Sequence, residues 1–244
     1  MNLVIDLGNT FAKIAVFQNH RILETFKFPK SENDKKIKKI FQKYPEIEFS
    51  ILSSVLKDDD LIKKILQKYS TLYCLDNETK LPFINKYSSP QTLGKDRVAL
   101  AAAAVYTYPK NDCLVIDAGT CVTYDVVNSK SEYLGGGISP GLQMRFNAVH
   151  KFTEKLPLIH ADSNHLKLIG DSTEESLKSG IYFGFAAEID GMISSYNSEF
   201  KDLTVILTGG DILFLSKRLK NSIFANSNFL LEGLNYILEY NKTQ

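Results

Sequence analysis

The chain is short of cysteine, has no long apolar run and carries no excess of either charge. Only Cys74, Cys113 and Cys121 occur in 244 residues, and they form no CxxC pair. An odd thiol count without metal-ligand spacing fits a reducing compartment, with the thiols as small core residues. The four histidines, His20, His150, His160 and His165, lack the i,i+4 spacing of a helical zinc site, so no transition metal is expected. No stretch reaches the roughly 18 apolar residues that a membrane span needs. The opening MNLVID, with Asp6 already in place, lacks the basic-then-apolar order of a secretory leader, so a cytoplasmic protein with no membrane partner is expected. Lys and Arg number 29 against 28 Asp and Glu, a net charge of +1, which leaves no basic surplus for a nucleic-acid partner. Two nucleotide signatures are also missing. There is no GxxxxGK(S/T) loop, and no strand-borne GxGxxG opens a helix.

What is present is a soluble-protein composition, 44% hydrophobic and 23% charged, in a chain long enough for one large domain or two small ones. Several of its 14 glycines are clustered, at Gly8, Gly94, Gly119, Gly135–Gly137, Gly141, Gly209 and Gly210. Clusters at strand ends point to backbone that comes close to a ligand. The segment LVID occurs at residues 3–6 and again at 114–117, each copy followed by a small turn (Leu7-Gly8-Asn9-Thr10, then Ala118-Gly119-Thr120) and a second β-rich run. Self-similarity on the scale of half the chain indicates duplication into two domains, 1–109 and 110–244, with the boundary near Pro109 and Asn111. In the first half, strands are expected over 3–17, 21–28, 49–55 and 71–75. Helices are expected over 34–44, 58–69 and 96–106. In the second half, strands at 113–118, 122–127 and 132–135 lead through a glycine turn to a helix from about 140 to 151. A long helix over 173–199, a strand ending in VILTGG (205–210) and a helix over 229–240 follow. Hairpins followed by strand–helix alternation predict an α/β fold with mixed sheets flanked by helices. The Lys-rich run 35–43 reads as a solvated helix face.

Four segments carry candidate chemistry. Asp6-Leu7-Gly8-Asn9-Thr10, with Lys13 beyond it, combines a strand-end carboxylate suited to hydrated Mg2+ with a turn whose N–H groups can meet phosphate. Asp, Gly and Asn also favour ordinary hairpin turns, but the second copy at Asp117-Ala118-Gly119-Thr120 favours a pair of turns that clamp phosphates between two domains. Gly94-Lys95-Asp96-Arg97 opens an alanine-rich helix. Asp96 there is either a first-turn acid that complements the helix dipole or a carboxylate poised to take a proton, with Arg97 available for a bidentate anion contact. Gly137-Ile138-Ser139-Pro140-Gly141 matches the G-x-S-x-G nucleophile elbow. The residue after the serine is Pro140, which has no N–H for an oxyanion hole, so a strand-to-helix turn is expected, with Pro140 starting the helix. Thr208-Gly209-Gly210-Asp211 is either a plain turn capped by Asp211 or a place for adenosine to lie against backbone.

In this order, DLGNTFAK (6–13), GKDR (94–97), DAGT (117–120), GGGISPG (135–141) and TGGD (208–211) resemble the type III pantothenate kinase family of the acetate and sugar kinase/Hsc70/actin superfamily. The resemblance implies two duplicated ribonuclease H-like domains, an actin-like ATPase fold and ATP-dependent phosphorylation of pantothenate. It also implies Mg2+ and a monovalent cation, K+ or NH4+, and a homodimer. By motif, Asp6, Leu7, Gly8, Asn9, Thr10, Phe11, Ala12, Lys13 and Thr120 would contact ATP. Asp6 would hold Mg2+ through water. Asp96 would be the general base. Tyr87, Gly94, Lys95, Asp96, Arg97 and Thr173 would contact pantothenate, and Asp117 would bind the monovalent cation. Lys95 departs from the family, which has a small residue there; its charge would either add to carboxylate binding or point to solvent. Other members of the superfamily act on other small acceptors, and some close relatives are described as transcriptional accessory factors. The intact Asp6, Asp96 and Asp117 set argues against lost catalysis.

Overall fold

A computed structural model describes residues 1–8, 11–56, 59–162 and 166–242. In chain order the elements are β1 (Asn2–Leu7), β2 (Phe11–Gln18), β3 (Arg21–Pro29), α1 (Asn33–Lys43), β4 (Phe49–Ser54), α2 (Asp60–Tyr69), β5 (Thr71–Cys74), β6 (Ile84–Asn85) and α3 (Lys95–Thr107). They continue with β7 (Cys113–Ala118), β8 (Cys121–Val127), β9 (Glu132–Pro140), α4 (Leu142–Lys151), α5 (Thr173–Glu199), β10 (Thr204–Thr208), α6 (Ile212–Leu215), β11 (Phe224–Ala225) and α7 (Phe229–Lys242). The chain divides into two units, Met1–Pro109 with Asn228–Gln244, and Lys110–Ser227.

The repeat in the sequence is a repeat in topology. The first unit orders its strands β3-β2-β1-β4-β5, with β1 antiparallel to β2 and parallel to β4. The second unit orders its own β9-β8-β7-β10-β11, with β7 antiparallel to β8 and parallel to β10. Each LVID segment therefore forms the central strand of a mixed sheet, hydrogen-bonded on both edges. Each ends in an aspartate at the same place in the ladder. Residues 3–5 and 114–116 are fully buried because a central strand is covered on both faces.

In the first unit, alternate residues Leu3, Ile5 and Leu7 of β1 meet one helical stripe each from α1 (Ile37, Ile40, Phe41) and α2 (Ile62, Ile65, Leu66). Lys35, Lys36, Lys38 and Lys39 of α1 lie in solvent, as a solvated face should. The alanine run of α3 has a local cause: Ala99–Ala104 are at most 1% exposed, because α7 crosses almost backbone to backbone. A Cβ on Gly233 would fall on the Ala99 carbonyl and come within 3.1 Å of the Ala103 methyl. Asn235 of α7 also accepts from Asn2 Nδ2 at 2.8 Å and donates to the Asn19 carbonyl at 3.0 Å. The last helix, expected with a second domain of 110–244, therefore belongs to the first unit. Buried small residues and a paired amide hold it there.

In the second unit α4 and α5 cover the Leu114, Ile116 and Ala118 face of β7 with Phe146, Tyr182, Phe185 and Ile189. Here the expected glycine turn after residue 135 and the helix start at Pro140 are both corrected. β9 runs on through the glycines to Pro140, and α4 begins at Leu142. Gly136 and Gly137 continue the ladder opposite Asp125 and Tyr124 of β8. A Cβ on Gly136 would fall on the Tyr124 carbonyl, so glycine is what permits a strand there. Among the described residues no helix is long and apolar enough to cross a membrane.

Candidate functional site

In the first unit, the Gly8 N–H just after β1 donates to the Phe11 carbonyl at the start of β2 at 3.1 Å. Asn9 and Thr10, expected to contact ATP, lie outside the described residues. Leu7 and Ala12 are packed in the core and can offer only backbone groups to a ligand. Phe11 is exposed, with the Lys27 ammonium 4.8 Å from its ring centroid. Asp6 is half-buried. It pairs across the ladder with Lys13 on one side and Ser53 on the other, so these side chains share a face. Burial pushes the Asp6 carboxyl up to about 6. The Lys13 charge opposes this, the nearby Asp96 carboxylate adds to it, and a hydrogen bond with the Ser53 side chain pulls it back down. Strand end and helix start are thus electrostatically coupled.

The GKDR segment forms the first turn of α3, with Gly94 as the N-cap residue. Asp96 is a first-turn acid, and its Oδ1 accepts from the Arg97 N–H at 2.9 Å. A Cβ on Gly94 would fall on that same Oδ1, so glycine clears the place where the carboxylate sits. The Lys95 ammonium donates to the Ser54 carbonyl at 3.3 Å, and its charge reaches Asp59. It ties the start of α3 to the end of β4. Arg97 is buried, and its guanidinium lies 5.6 Å from the centroid of the half-buried Tyr87 ring. The two residues expected on the substrate therefore meet each other. Ser53 and Ser54, read from the sequence only as part of a buried strand, anchor Asp6 and Lys95. Their one signal was a pair of hydroxyl residues at a strand end.

In the second unit three glycine clusters converge on the Asp117 turn. The Gly119 N–H donates to the Cys121 carbonyl at 2.9 Å, and the Gly141 N–H donates to the Thr120 carbonyl at 3.1 Å. A Cβ on Gly141 would fall on the carbonyls of Gly119 and Thr120. Gly209 has φ +99°, and a Cβ there would stand 2.5 Å from Asp117 Oδ1. Asp117 is half-buried and Thr120 is exposed. The Asp211 N–H donates to the Ala118 carbonyl at 3.0 Å, but its side chain makes no capping bond to α6. Burial pushes that carboxyl up to about 6. Thr173 is the exposed first residue of α5, one position after Ser172, whose hydroxyl caps the helix by accepting from the Glu175 N–H at 3.2 Å.

The chain as a whole is similar to known proteins. The family model for type III pantothenate kinase matches residues 2–195. A type III pantothenate kinase from Christiangramia forsetii is 57% identical over 244 residues, the whole of both chains. One from Flavobacterium johnsoniae is 47% identical over 240 residues, 98% of each chain. Among solved structures, a Campylobacter jejuni protein assigned provisionally to a Baf family of transcriptional activators aligns with a TM-score of 0.63 at 22% identity, over 99% of this chain and all of the other. A glucokinase from an Antarctic psychrotroph aligns with a TM-score of 0.55 at 12% identity over 98% of each chain, a likeness of fold alone. Sugar kinases of the actin-like ATPase fold are thus its structural neighbours. The chain belongs to the type III pantothenate kinase family.

Proposed function

We propose that the protein transfers the γ-phosphoryl group of ATP to the primary hydroxyl of pantothenate, giving 4'-phosphopantothenate, the first step toward coenzyme A. One observation carries the chemistry beyond the family match. Burial raises the pKa of Asp6 at the end of β1, and the Asp96 carboxylate, on the first turn of a buried helix, adds to that rise. A proton acceptor and a carboxylate for the phosphate end thus stand in one unit.

Phosphoryl transfer is mostly positioning and charge stabilisation. In this reading the hydroxyl attacks in line while Asp96 takes its proton. Residues 6–13 and Thr120 hold ATP, with Lys13 on the phosphates. Arg97 and Tyr87 receive the pantothenate carboxylate and the chain beside it, and Gly94 and Thr173 complete the substrate contacts. The donor set at Asp6 fits a hydrated Mg2+: a hard carboxylate oxygen whose burial favours partial neutralisation by a cation. Bound there with ATP, Mg2+ would neutralise charge on the phosphates. The Asp117 carboxylate, beside which Gly119 and Gly209 place no side chain of their own, fits a monovalent cation, K+ or NH4+. A homodimer in the cytoplasm completes the proposal. The exposed side of α5 supports it, since a Cβ on Gly180, Gly184 or Gly191 would meet nothing within 4 Å.

The test is ADP release by the purified chain with pantothenate as acceptor, with and without K+. Pantothenate-dependent ADP, with phosphate on the primary hydroxyl, is the expected result. ATP turnover only with other acceptors, or none at all, would remove the reading.

A further inference from the structure

Beside Asp117 the second unit holds a buried polar cluster that the proposed reaction does not use. β7 and β8 pair antiparallel with Asp117 opposite Thr123, so the two side chains stand on one face as direct cross-strand neighbours. Asp125, two residues further along β8, is on that face too and is wholly buried. Its Oδ2 accepts from the Thr123 hydroxyl at 2.8 Å, and its Oδ1 accepts from the Tyr133 hydroxyl at 2.8 Å.

We propose that Asp125 turns the Thr123 hydroxyl so that its oxygen lone pairs, and not its hydrogen, complete the monovalent-cation site at Asp117. The inference rests on the reading of Asp117 as the cation ligand. A threonine hydroxyl has one hydrogen and two lone pairs. The hydrogen is committed to Asp125, because a carboxylate can only accept. Burial locks the arrangement, since Thr123 is 9% exposed and Tyr133 is fully buried. What Thr123 then offers on the Asp117 side is acceptor only. An oxygen of that kind suits a poorly hydrated cation, whereas a hydroxyl hydrogen aimed at the site would repel one. Room for the ion is preserved by glycine: a Cβ on Gly119 would stand 3.6 Å from Asp117 Oδ1, and one on Gly209 2.5 Å. Asp125 is thus a positioning residue that acts through Thr123.

The test reads cation binding rather than turnover. The thermal unfolding midpoint of the full chain is followed against KCl, with tetramethylammonium chloride holding ionic strength constant, ATP present and pantothenate absent. The wild type is expected to gain stability as K+ rises, and Asp117→Asn to lose that gain. Thr123→Val, which removes the oxygen, and Asp125→Leu, which removes the acceptor that orients it, should each raise the half-saturating K+ concentration about 10–100-fold, the range seen when the surroundings of a metal ligand are lost. Thr123→Ser should behave as wild type. A purely structural cluster would lower the midpoint at every salt composition without changing its K+ dependence, and that result overturns the proposal. Loss of the K+ gain in Asp117→Asn, with wild-type K+ dependence in Thr123→Val, also overturns it and leaves the Asp117 reading standing. No K+ gain in the wild type overturns both. Should Asp125→Leu fail to fold, Thr123→Val against Thr123→Ser decides alone.

Discussion

The Arg97 guanidinium lies over the Tyr87 ring, 5.6 Å from its centroid. Arginine meets an aromatic face through a planar cation that a lysine cannot reproduce. Arg97→Lys keeps the charge and loses the planar contact and the fork of donors. It should raise the KM for pantothenate about 10–100-fold, the range expected for losing a hydrogen bond to a charged group. The KM for ATP should stay near wild type. Steady-state kinetics with each substrate varied in turn checks this, and an equal rise in both KM values would contradict it. Tyr87→Phe keeps the ring and should be much milder than Tyr87→Ala.

Lys95 is engaged with the Ser54 carbonyl at 3.3 Å. Lys95→Ala should therefore act on stability, by about 0.5–1.5 kcal/mol, and change the KM for pantothenate by less than about threefold. Urea unfolding beside a KM measurement separates these. A large rise in KM with unchanged stability would return Lys95 to the substrate.

The two hairpins, the repeat and most element bounds were legible because alternating strands and turn residues are local signals. The helices α1 and α2 were legible from their helical stripes. What escaped was set by distant parts of the chain. The glycines of 135–137 read as a turn, yet β8 offers them a ladder that only glycine can join. The place of α7 was hidden because Gly233 and Asn235 declare their partners, Ala99 and Asn2, only once folded. At the candidate site, the order of motifs singled out the carboxylates to consider. It could not show that Ser53 steadies Asp6, or that Arg97 and Tyr87 meet.

Two glycine-to-alanine changes should have opposite signs. At Gly209, φ of +99° and the nearby Asp117 carboxylate make a methyl group costly, about 1–3 kcal/mol. At Gly184, in the interior of α5 with nothing in reach of a Cβ, alanine should stabilise the isolated protomer by about 0.5–1 kcal/mol. Denaturant midpoints test both. A gain in stability from Gly209→Ala would contradict the close approach to Asp117.

Asp6 and Asp211 both have carboxyls pushed up from 3.8 to about 6, chiefly by burial. An acid with a raised folded pKa holds its proton more tightly when folded. Its contribution is fully present below the unfolded value and is lost as pH rises through about 6. Asp6→Asn should therefore gain on the wild type between about pH 4.5 and about pH 7.5, by about 1–3 kcal/mol, and Asp211→Asn should do the same. A stability difference that does not vary over this range would remove burial as the cause. The hydrated Mg2+ proposed at Asp6 would favour its ionised carboxylate, so Mg2+ affinity in the presence of ATP should fall below about pH 6.

The most direct test of the account is the turnover of Asp96→Asn with ATP and pantothenate both saturating. Asparagine keeps the size of Asp96 and can still accept a hydrogen bond, but it cannot take the hydroxyl proton. A fall in kcat of about 10²–10⁴-fold is expected, with the fold and ATP binding intact. Turnover near that of the wild type would contradict it.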